Sequence, residues 1–304
     1  MKVVLGLFDS SFYFKEKGGH RWIAFLLMAL VFLSPVLVVE KSAGQGQSGL
    51  QVIPTRIVFE GRKRSAQVNL INQGTKAATY RVSFKNMRMK EDGSYEDVKG
   101  ALPDEKFAED LIRYSPRQVV VPPGESQTVR LMLRKKRDLP AGEYRSHMLF
   151  RAIPPKNTGE DIESLAGGKG EISIQLIPIF GLTIPVIVRH GKGTATAAMG
   201  DLKINEPENP GDSSTISLSI NRQGERSVFG DMIARFKPEK DGEELEVGRV
   251  NGIAVFTPNK KRIVNFNLTP PEGVELKRGN LHVVYRQGQA EGDKIFAEKQ
   301  LRIP

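Results

Sequence analysis

Alternation of apolar and polar side chains is the feature that most limits what this chain can fold into. Residues 67–72 (QVNLIN) and 127–134 (QTVRLMLR) alternate with period two, as strands with one buried and one solvated face must. Turn signals such as NQG at 72–74 and PPG at 122–124 interrupt the alternation at intervals of about ten residues. Short strands punctuated in this way predict an all-β chain.

The length of the chain predicts two such units. Its 304 residues are enough for about two domains, and 39% hydrophobic residues supply a core for each. A stretch rich in Gly, Ala, Thr and Pro follows residue 190 and indicates a boundary. We therefore expect two immunoglobulin-like β-sandwich domains, at 48–191 and 194–304, after a targeting segment at 1–44.

The targeting segment has the pattern of an export signal. Residues 22–39 carry no charge, basic side chains precede them, and the small residues Ser42, Ala43 and Gly44 follow. Small residues there suit cleavage by a signal peptidase, whereas the apolar run is also long enough to span a bilayer. Either outcome, a cleaved signal peptide or an inner-membrane anchor, places the two domains outside the cytoplasm.

Charge and cysteine content restrict the classes of partner and chemistry. The formal net charge is +10, but the basic residues are scattered and do not form a tail, so nucleic acid is not an expected partner. Short basic runs such as 260–262 are interpreted as solvated turns, with an acidic partner or a membrane surface as the alternative. The chain has no cysteine and therefore no disulfide or thiolate site.

No residue pattern indicates catalysis. The four histidines have no metal-ligand spacing, and the glycine-rich segment 167–170 lacks the spacing of a phosphate-binding loop. The paired acids lie in polar segments, where solvation explains them. The sequence predicts a protein that is not an enzyme, with no cofactor, no metal and no small-molecule substrate.

The most apolar part of the chain is residues 172–188 (ISIQLIPIFGLTIPVIV). One interpretation is a core strand buried on both faces. The other is an edge strand, because Pro178 and Pro185 cannot donate backbone hydrogen bonds. The preceding polar, glycine-rich residues 155–170 predict a mobile loop that leads into this segment. An apolar edge after such a loop is a candidate for β-strand addition to a partner.

These features resemble the PapD-like periplasmic pilus chaperones. The matching segments follow the family's order over roughly residues 50–190: TRIVF at 55–59, VNLIN at 68–72, VVVPPG at 119–124, FRAIPP at 150–155 and IPVIVR at 184–189. The resemblance implies a periplasmic chaperone for pilus or fimbrial subunits, with an outer-membrane usher as a further partner.

The resemblance also implies site residues. The chaperone would lend a strand to an incomplete subunit through Ile172, Ile174 and Leu176, with Pro178 and Phe180 as donors in a slipped register. Arg56 matches the family's arginine that holds the subunit's C-terminal carboxylate. A guanidinium group suits that task because it binds a carboxylate through two parallel hydrogen bonds.

One position departs from the family pattern. The family's second anchor is a lysine, and the aligned residue here is Pro185. Either Arg56 acts alone or with Arg189 or Lys192, or the subunit is held differently. A competing hypothesis is a tethered structural or adhesive module whose apolar segment is covered by its own second domain or by self-association.

Overall fold

The molecule is built of β-strands that each have one apolar face. The structure is a computed structural model, and it describes residues 49–154, 179–207, 209, 212–239, 242–288 and 291–304. The first group of strands consists of β1 (Leu50–Ile53), β2 (Ile57–Phe59), β3 (Ser65–Asn72), β4 (Ala78–Lys85), β5 (Met87–Met89), β6 (Tyr95–Asp97), β7 (Ile112–Ser115), β8 (Gln118–Val121), β9 (Ser126–Leu133), β10 (Gly142–Ile153) and β11 (Gly181–His190). A 3-10 turn, Glu109–Leu111, precedes β7.

The second group continues the all-β pattern. It consists of β12 (Ala195–Asn205), β13 (Thr215–Gly224), β14 (Val228–Pro238), β15 (Leu245–Val255), β16 (Lys261–Asn267), β17 (Gly279–Arg286) and β18 (Ile295–Ile303). The fold class predicted from the sequence, all-β with two immunoglobulin-like sandwiches, is confirmed.

Each group forms two facing sheets. In the first sandwich the sheets have the orders β1-β3-β9-β7 and β2-β11-β10-β4-β8, and β5 pairs with β6 as a separate hairpin. In the second sandwich the orders are β12-β13-β16 and β15-β14-β17-β18. Both sandwiches belong to one compact unit.

The period-two pattern places the cores. In β9, Val129, Leu131 and Leu133 are buried, whereas Met132 between them is exposed. The second core is built in the same way, for example by Ile216, Leu218 and Ile220 of β13. Full burial of each such side chain contributes about 1.5–3 kcal/mol, so the alternation stabilises both sandwiches.

The described part of the apolar segment, residues 179–188, differs along its length. Val186, Ile187 and Val188 are all buried, and this part of β11 pairs with β10 on one side and with β2, in parallel, on the other. Ile179 and Phe180, just before β11, are exposed at 46% and 41%. The later part is thus a core strand, whereas the described earlier part is open.

Several expectations lie outside the described residues. They are the targeting segment 1–44, the loop 155–170, and the predicted donors Ile172, Ile174, Leu176 and Pro178. Among the residues that the structure does describe, no helix has the length and apolar character needed to cross a membrane.

Candidate functional site

The two sandwiches meet through a small apolar cluster. Met89 of β5, Ile187 of β11, and Ala254 and Phe256 from β15 and its end form its buried part. Ile187 reaches this cluster because it points away from the first core, into which Val186 and Val188 point. The cluster therefore packs β11 against the second sandwich.

Arg56 lies at the junction, immediately before β2. Its side chain is only 9% exposed, because the guanidinium carbon sits 3.8 Å from the centroid of the Phe229 ring of β14. The guanidinium group also donates a hydrogen bond to the carboxylate of Glu291. The predicted anchor is thus held by two residues of the second sandwich.

Arg56 lines a cleft of about 580 Å³ between the sandwiches, here named the Arg56 cleft. The other charged residues that line it are Glu60, Lys63 and Arg189 from the first sandwich and Arg226, Glu291 and Lys294 from the second. Arg189, one of the two suggested secondary contacts, therefore shares a cleft with Arg56. Lys192, the other, is exposed and lines a different cleft.

The guanidinium group of Arg189 is fully engaged within the protein. It donates to Glu143 Oε2 at 3.0 Å, to Glu60 Oε2 at 3.1 Å and to the Ser227 carbonyl oxygen at 3.2 Å. The side chain of Glu143 is completely buried, and its Oε2 also accepts from the Ser227 backbone N–H at 3.1 Å. Arg189 and Glu143 therefore join the two sandwiches, and a ligand would have to break this network to use Arg189.

The charges around Glu60 keep it ionised. Partial burial acts to raise the pKa of Glu60, but the hydrogen bonds and charges of Arg189 and Arg226 outweigh that effect and hold the pKa below its ordinary value. The carboxylate of Glu60 is thus a permanent negative charge opposite the arginines of the Arg56 cleft.

Pro185 lies on β11 opposite His147 of β10. It lines a second, smaller cavity of about 290 Å³, here named the Pro185 pocket, together with Arg56, Tyr95, Phe229 and Arg262. Pro185, which the resemblance aligns with the family's lysine, therefore lines a cavity next to Arg56 and brings no charge or donor to it.

The β5–β6 hairpin closes one side of the Pro185 pocket by bonding to the second sandwich. The Ile263 backbone N–H donates to the Glu91 carbonyl oxygen at 2.7 Å, and Asn259 Nδ2 donates to the Met89 carbonyl oxygen at 2.6 Å. These bonds bring Gly93 and Tyr95 of the hairpin against Arg262 and Phe256. The hairpin is thus a second bridge between the sandwiches.

Two buried polar side chains of β10 lie behind this junction. Arg145 is 8% exposed and its guanidinium carbon lies 4.5 Å from the centroid of the Phe256 ring. His147 is 2% exposed, and neither of its ring nitrogens has a hydrogen-bond partner in the described part of the chain. Burial, together with the charge of Arg145, lowers the pKa of His147 from 6.5 to about 3, so the ring is neutral near neutral pH.

The first half of β11 has an open backbone edge. Gly181–His190 pairs with β10 along its whole length, whereas β2 covers only Val186 to Val188 on the other side. Within the described strands, Leu182, Thr183 and Ile184 consequently have a neighbour on one side alone. Phe180, the one predicted donor that the structure describes, directly precedes this open edge.

Sequence reasoning missed Glu143 and Arg262. Arg262 was interpreted as part of a solvated basic run, yet it has the same parity in β16 as the buried Val264 and Phe266, and that parity is a usable signal. Glu143 had no comparable signal, because its partner Ser227 lies in the other sandwich. No cluster of three or more His, Asp or Glu side chains able to hold a metal ion occurs among the described residues.

Fold and cleft together define a protein of two immunoglobulin-like sandwiches joined at a basic junction. Residues 49–189 match the family described as pili and flagellar-assembly chaperone, PapD N-terminal domain. This match confirms the resemblance to PapD-like pilus chaperones and covers the first sandwich. No curated protein sequence matches the chain.

Solved structures similar to the chain include several chaperones. The YadV chaperone is 15% identical, with 84% of this chain and 100% of that chain covered and a TM-score of 0.39. The CupB2 chaperone of Pseudomonas aeruginosa is 12% identical, with 84% and 100% covered and a TM-score of 0.38. The CsuC-CsuE chaperone-tip adhesion subunit complex of Acinetobacter baumannii is 12% identical, with 84% of this chain and 97% of that chain covered and a TM-score of 0.38.

Proposed function

We propose that this protein is a periplasmic chaperone that binds and caps pilus or fimbrial-type subunits by donating a β-strand. The family match supports a role in pilus assembly, and this family and fold are in general not enzymatic. The targeting segment supports export, either as a cleaved signal peptide or as an inner-membrane anchor.

The observation that carries the proposal is the half-paired strand β11. Its residues before Pro185 have one neighbouring strand among those described, and they follow the exposed apolar side chains of Ile179 and Phe180. Soluble proteins usually protect such an edge with charged residues, because unpaired N–H and C=O groups attract another chain. An open and apolar edge is what β-strand addition requires.

The sequence before β11 supplies the side chains for such a strand. Ile172, Ile174, Leu176 and Pro178 have the same parity as Phe180 and Leu182. An extended continuation of β11 toward lower residue numbers would therefore present them on one face. In this proposal they enter the groove of a subunit that lacks a strand.

Arg56 is proposed to hold the C-terminal carboxylate of that subunit. Its guanidinium group lies in the cleft between the sandwiches, next to the start of β2 and close to the open edge of β11. One face packs on Phe229, which leaves the edge of the planar group for bidentate hydrogen bonds. The Glu291 carboxylate already accepts one hydrogen bond from Arg56 Nη2, so a carboxylate is able to reach the group.

The proposal is tested by co-purification with candidate pilus-type subunits co-expressed with this protein. The double variant Ile174→Ser/Leu176→Ser should lose subunit capture while its thermal unfolding stays unchanged. The control variant Val120→Ser/Met132→Ser removes two apolar side chains that are exposed elsewhere on the first sandwich and should capture normally. Unchanged capture by the first variant would reject strand donation, and self-association of the purified protein without subunit capture would favour the structural or adhesive module.

A further inference from the structure

The Pro185 pocket is built by both sandwiches. Arg56 and Pro185 enter it from the first sandwich, and Phe229 and Arg262 enter it from the second. Both guanidinium groups act electrostatically on the buried hydroxyl of Tyr285, which donates to the Ile253 carbonyl oxygen at 2.9 Å. Two arginines from opposite sandwiches thus surround one small cavity.

Arg262 is held in place without being neutralised. Its Nη1 donates to the Ala254 carbonyl oxygen at 2.7 Å, while its Nε is buried and has no partner in the described part of the chain. No carboxylate of the described residues forms an ion pair with it; Asp92 acts only over a longer range. Burial lowers the pKa of Arg262, because its positive charge is only partly compensated.

The glycine of the β5–β6 hairpin makes room for this arginine. Gly93 has φ +85°, and a Cβ atom there would lie 2.5 Å from Arg262 Nη2. A larger residue at position 93 would therefore displace the guanidinium group from its present position. Glycine at position 93 thus allows both the positive φ of the turn and the observed position of the Arg262 guanidinium group.

Arg145 adds a further positive charge behind the pocket. Its Nη1 and Nη2 donate only to backbone carbonyl oxygens, those of Met87 at 3.3 Å and Thr257 at 3.4 Å. Its Nε is buried without a partner among the described residues. Glu143 and Glu105 compensate the buried charge of Arg145 only in part, without an ion pair, so a carboxylate that enters the pocket next to Arg262 gains more than it would at the surface.

We propose that Arg262 is the second carboxylate-binding side chain of this protein and that, with Arg56, it holds the C-terminal carboxylate of the bound subunit across Pro185. This inference rests on the proposed chaperone function. A carboxylate has four acceptor positions and each guanidinium group offers paired donors, so both arginines are able to bond to one carboxylate. The charge absent at Pro185 is supplied by the other sandwich.

The test uses the C-terminal strand of the captured subunit as a synthetic peptide, once with a free carboxylate and once amidated. Binding to the full chain is measured by isothermal titration calorimetry. The free carboxylate should bind about tenfold or more tightly than the amide, as expected for charge-assisted hydrogen bonds. Arg262→Gln and Arg56→Gln should each abolish most of this preference and leave amide binding nearly unchanged.

Matched variants separate the role of Arg262 from folding and from general charge. Arg249→Gln removes an arginine of the same sandwich that is ion-paired on the surface with Glu246, and it should retain the full preference. Gly93→Ala retains Arg262 but displaces it, and it should reduce the preference as Arg262→Gln does. Thermal unfolding of each variant shows that the fold is kept.

The outcomes are distinguishable. A preference that depends on Arg56 but is unchanged in Arg262→Gln overturns the role of Arg262 and leaves the chaperone function standing. Equal binding of both peptide forms overturns the carboxylate clamp as a whole. Failure of the wild-type chain to bind either the subunit or its peptide overturns the chaperone function and the clamp together.

Discussion

The guanidinium carbon of Arg56 lies 3.8 Å from the centroid of the Phe229 ring, so a residue of the first sandwich stacks on a residue of the second. The aromatic face attracts the cation, and the contact is largely removed from water because Arg56 is only 9% exposed. Since the two residues belong to different sandwiches, their interaction also stabilises the junction.

A double-mutant cycle with Arg56→Gln and Phe229→Leu should measure this coupling. Leucine keeps an apolar side chain of similar size but removes the aromatic face. We expect a coupling free energy of about 0.5–2 kcal/mol in the free energy of unfolding, measured by urea denaturation. A coupling near zero would show that the stacked arrangement does not persist in solution.

Glu143 should be the most sensitive charged residue of the junction. Its side chain is fully buried and serves both Arg189 Nε and the Ser227 backbone N–H. Glu143→Ala leaves these donors without their acceptor, so we expect a loss of about 3 kcal/mol in the free energy of unfolding. Hydrogen exchange of the Ser227 amide should accelerate in the same variant.

The control for Glu143 is Glu246, which forms an ion pair with Arg249 on the surface of the second sandwich. Glu246→Ala should lower the free energy of unfolding by less than about 1 kcal/mol, because exposed pairs contribute little. Equal losses in the two variants would contradict the structural role assigned to Glu143.

The sequence predicted the sandwiches well because one physical rule governs each strand. Val129, Leu131 and Leu133 must face a core and the residues between them must face water, so alternation alone locates β9. The same rule failed at Val186–Val188, where all three residues are buried. There the second sandwich covers the outer face of the strand. The alternation within one strand cannot predict burial by residues from a distant part of the chain.

The candidate site was predictable only in part, for the same reason. The resemblance singled out Arg56 and Pro185, and both line the Pro185 pocket. Which residues face them depends on how the second sandwich docks. Phe229, Glu291 and Arg262 are all far away in sequence, and of these only Arg262 had a usable signal, its parity with Val264.

His147 should make the protein sensitive to acid. Its folded-state pKa of about 3 lies below the ordinary value of 6.5, so the unfolded chain takes up a proton first as the pH falls. The stability associated with the neutral ring is fully present above pH 6.5 and is lost progressively as the pH decreases toward about 3. Its contribution over that range is on the order of 5 kcal/mol.

His147→Phe should remove much of this pH dependence. Phenylalanine preserves the edge-to-face contact with the Tyr95 ring, whose centroid lies 5.1 Å away, and it eliminates two ring nitrogens without partners in the described part of the chain. We expect unchanged or higher stability at pH 7 and a flatter free energy of unfolding between pH 6.5 and 4. A pH dependence identical to that of the wild-type chain would show that His147 is not buried as a neutral ring.

Glu291 should compete with the subunit for Arg56. Its carboxylate accepts a hydrogen bond from the Arg56 guanidinium group in the same way as the proposed C-terminal carboxylate of the subunit. Because the Glu291 side chain is 44% exposed, the pair is worth about 0.2–1 kcal/mol, and an incoming carboxylate is able to displace it.

Glu291→Gln removes the competing charge and keeps the size of the side chain. The peptide with a free carboxylate should bind this variant about two- to fivefold more tightly, while binding of the amidated peptide should not change. Arg56→Gln should eliminate the gain, because the released donor is then missing. Weaker binding of the free-carboxylate peptide to Glu291→Gln would instead mean that Glu291 positions Arg56 for the subunit rather than competing with it.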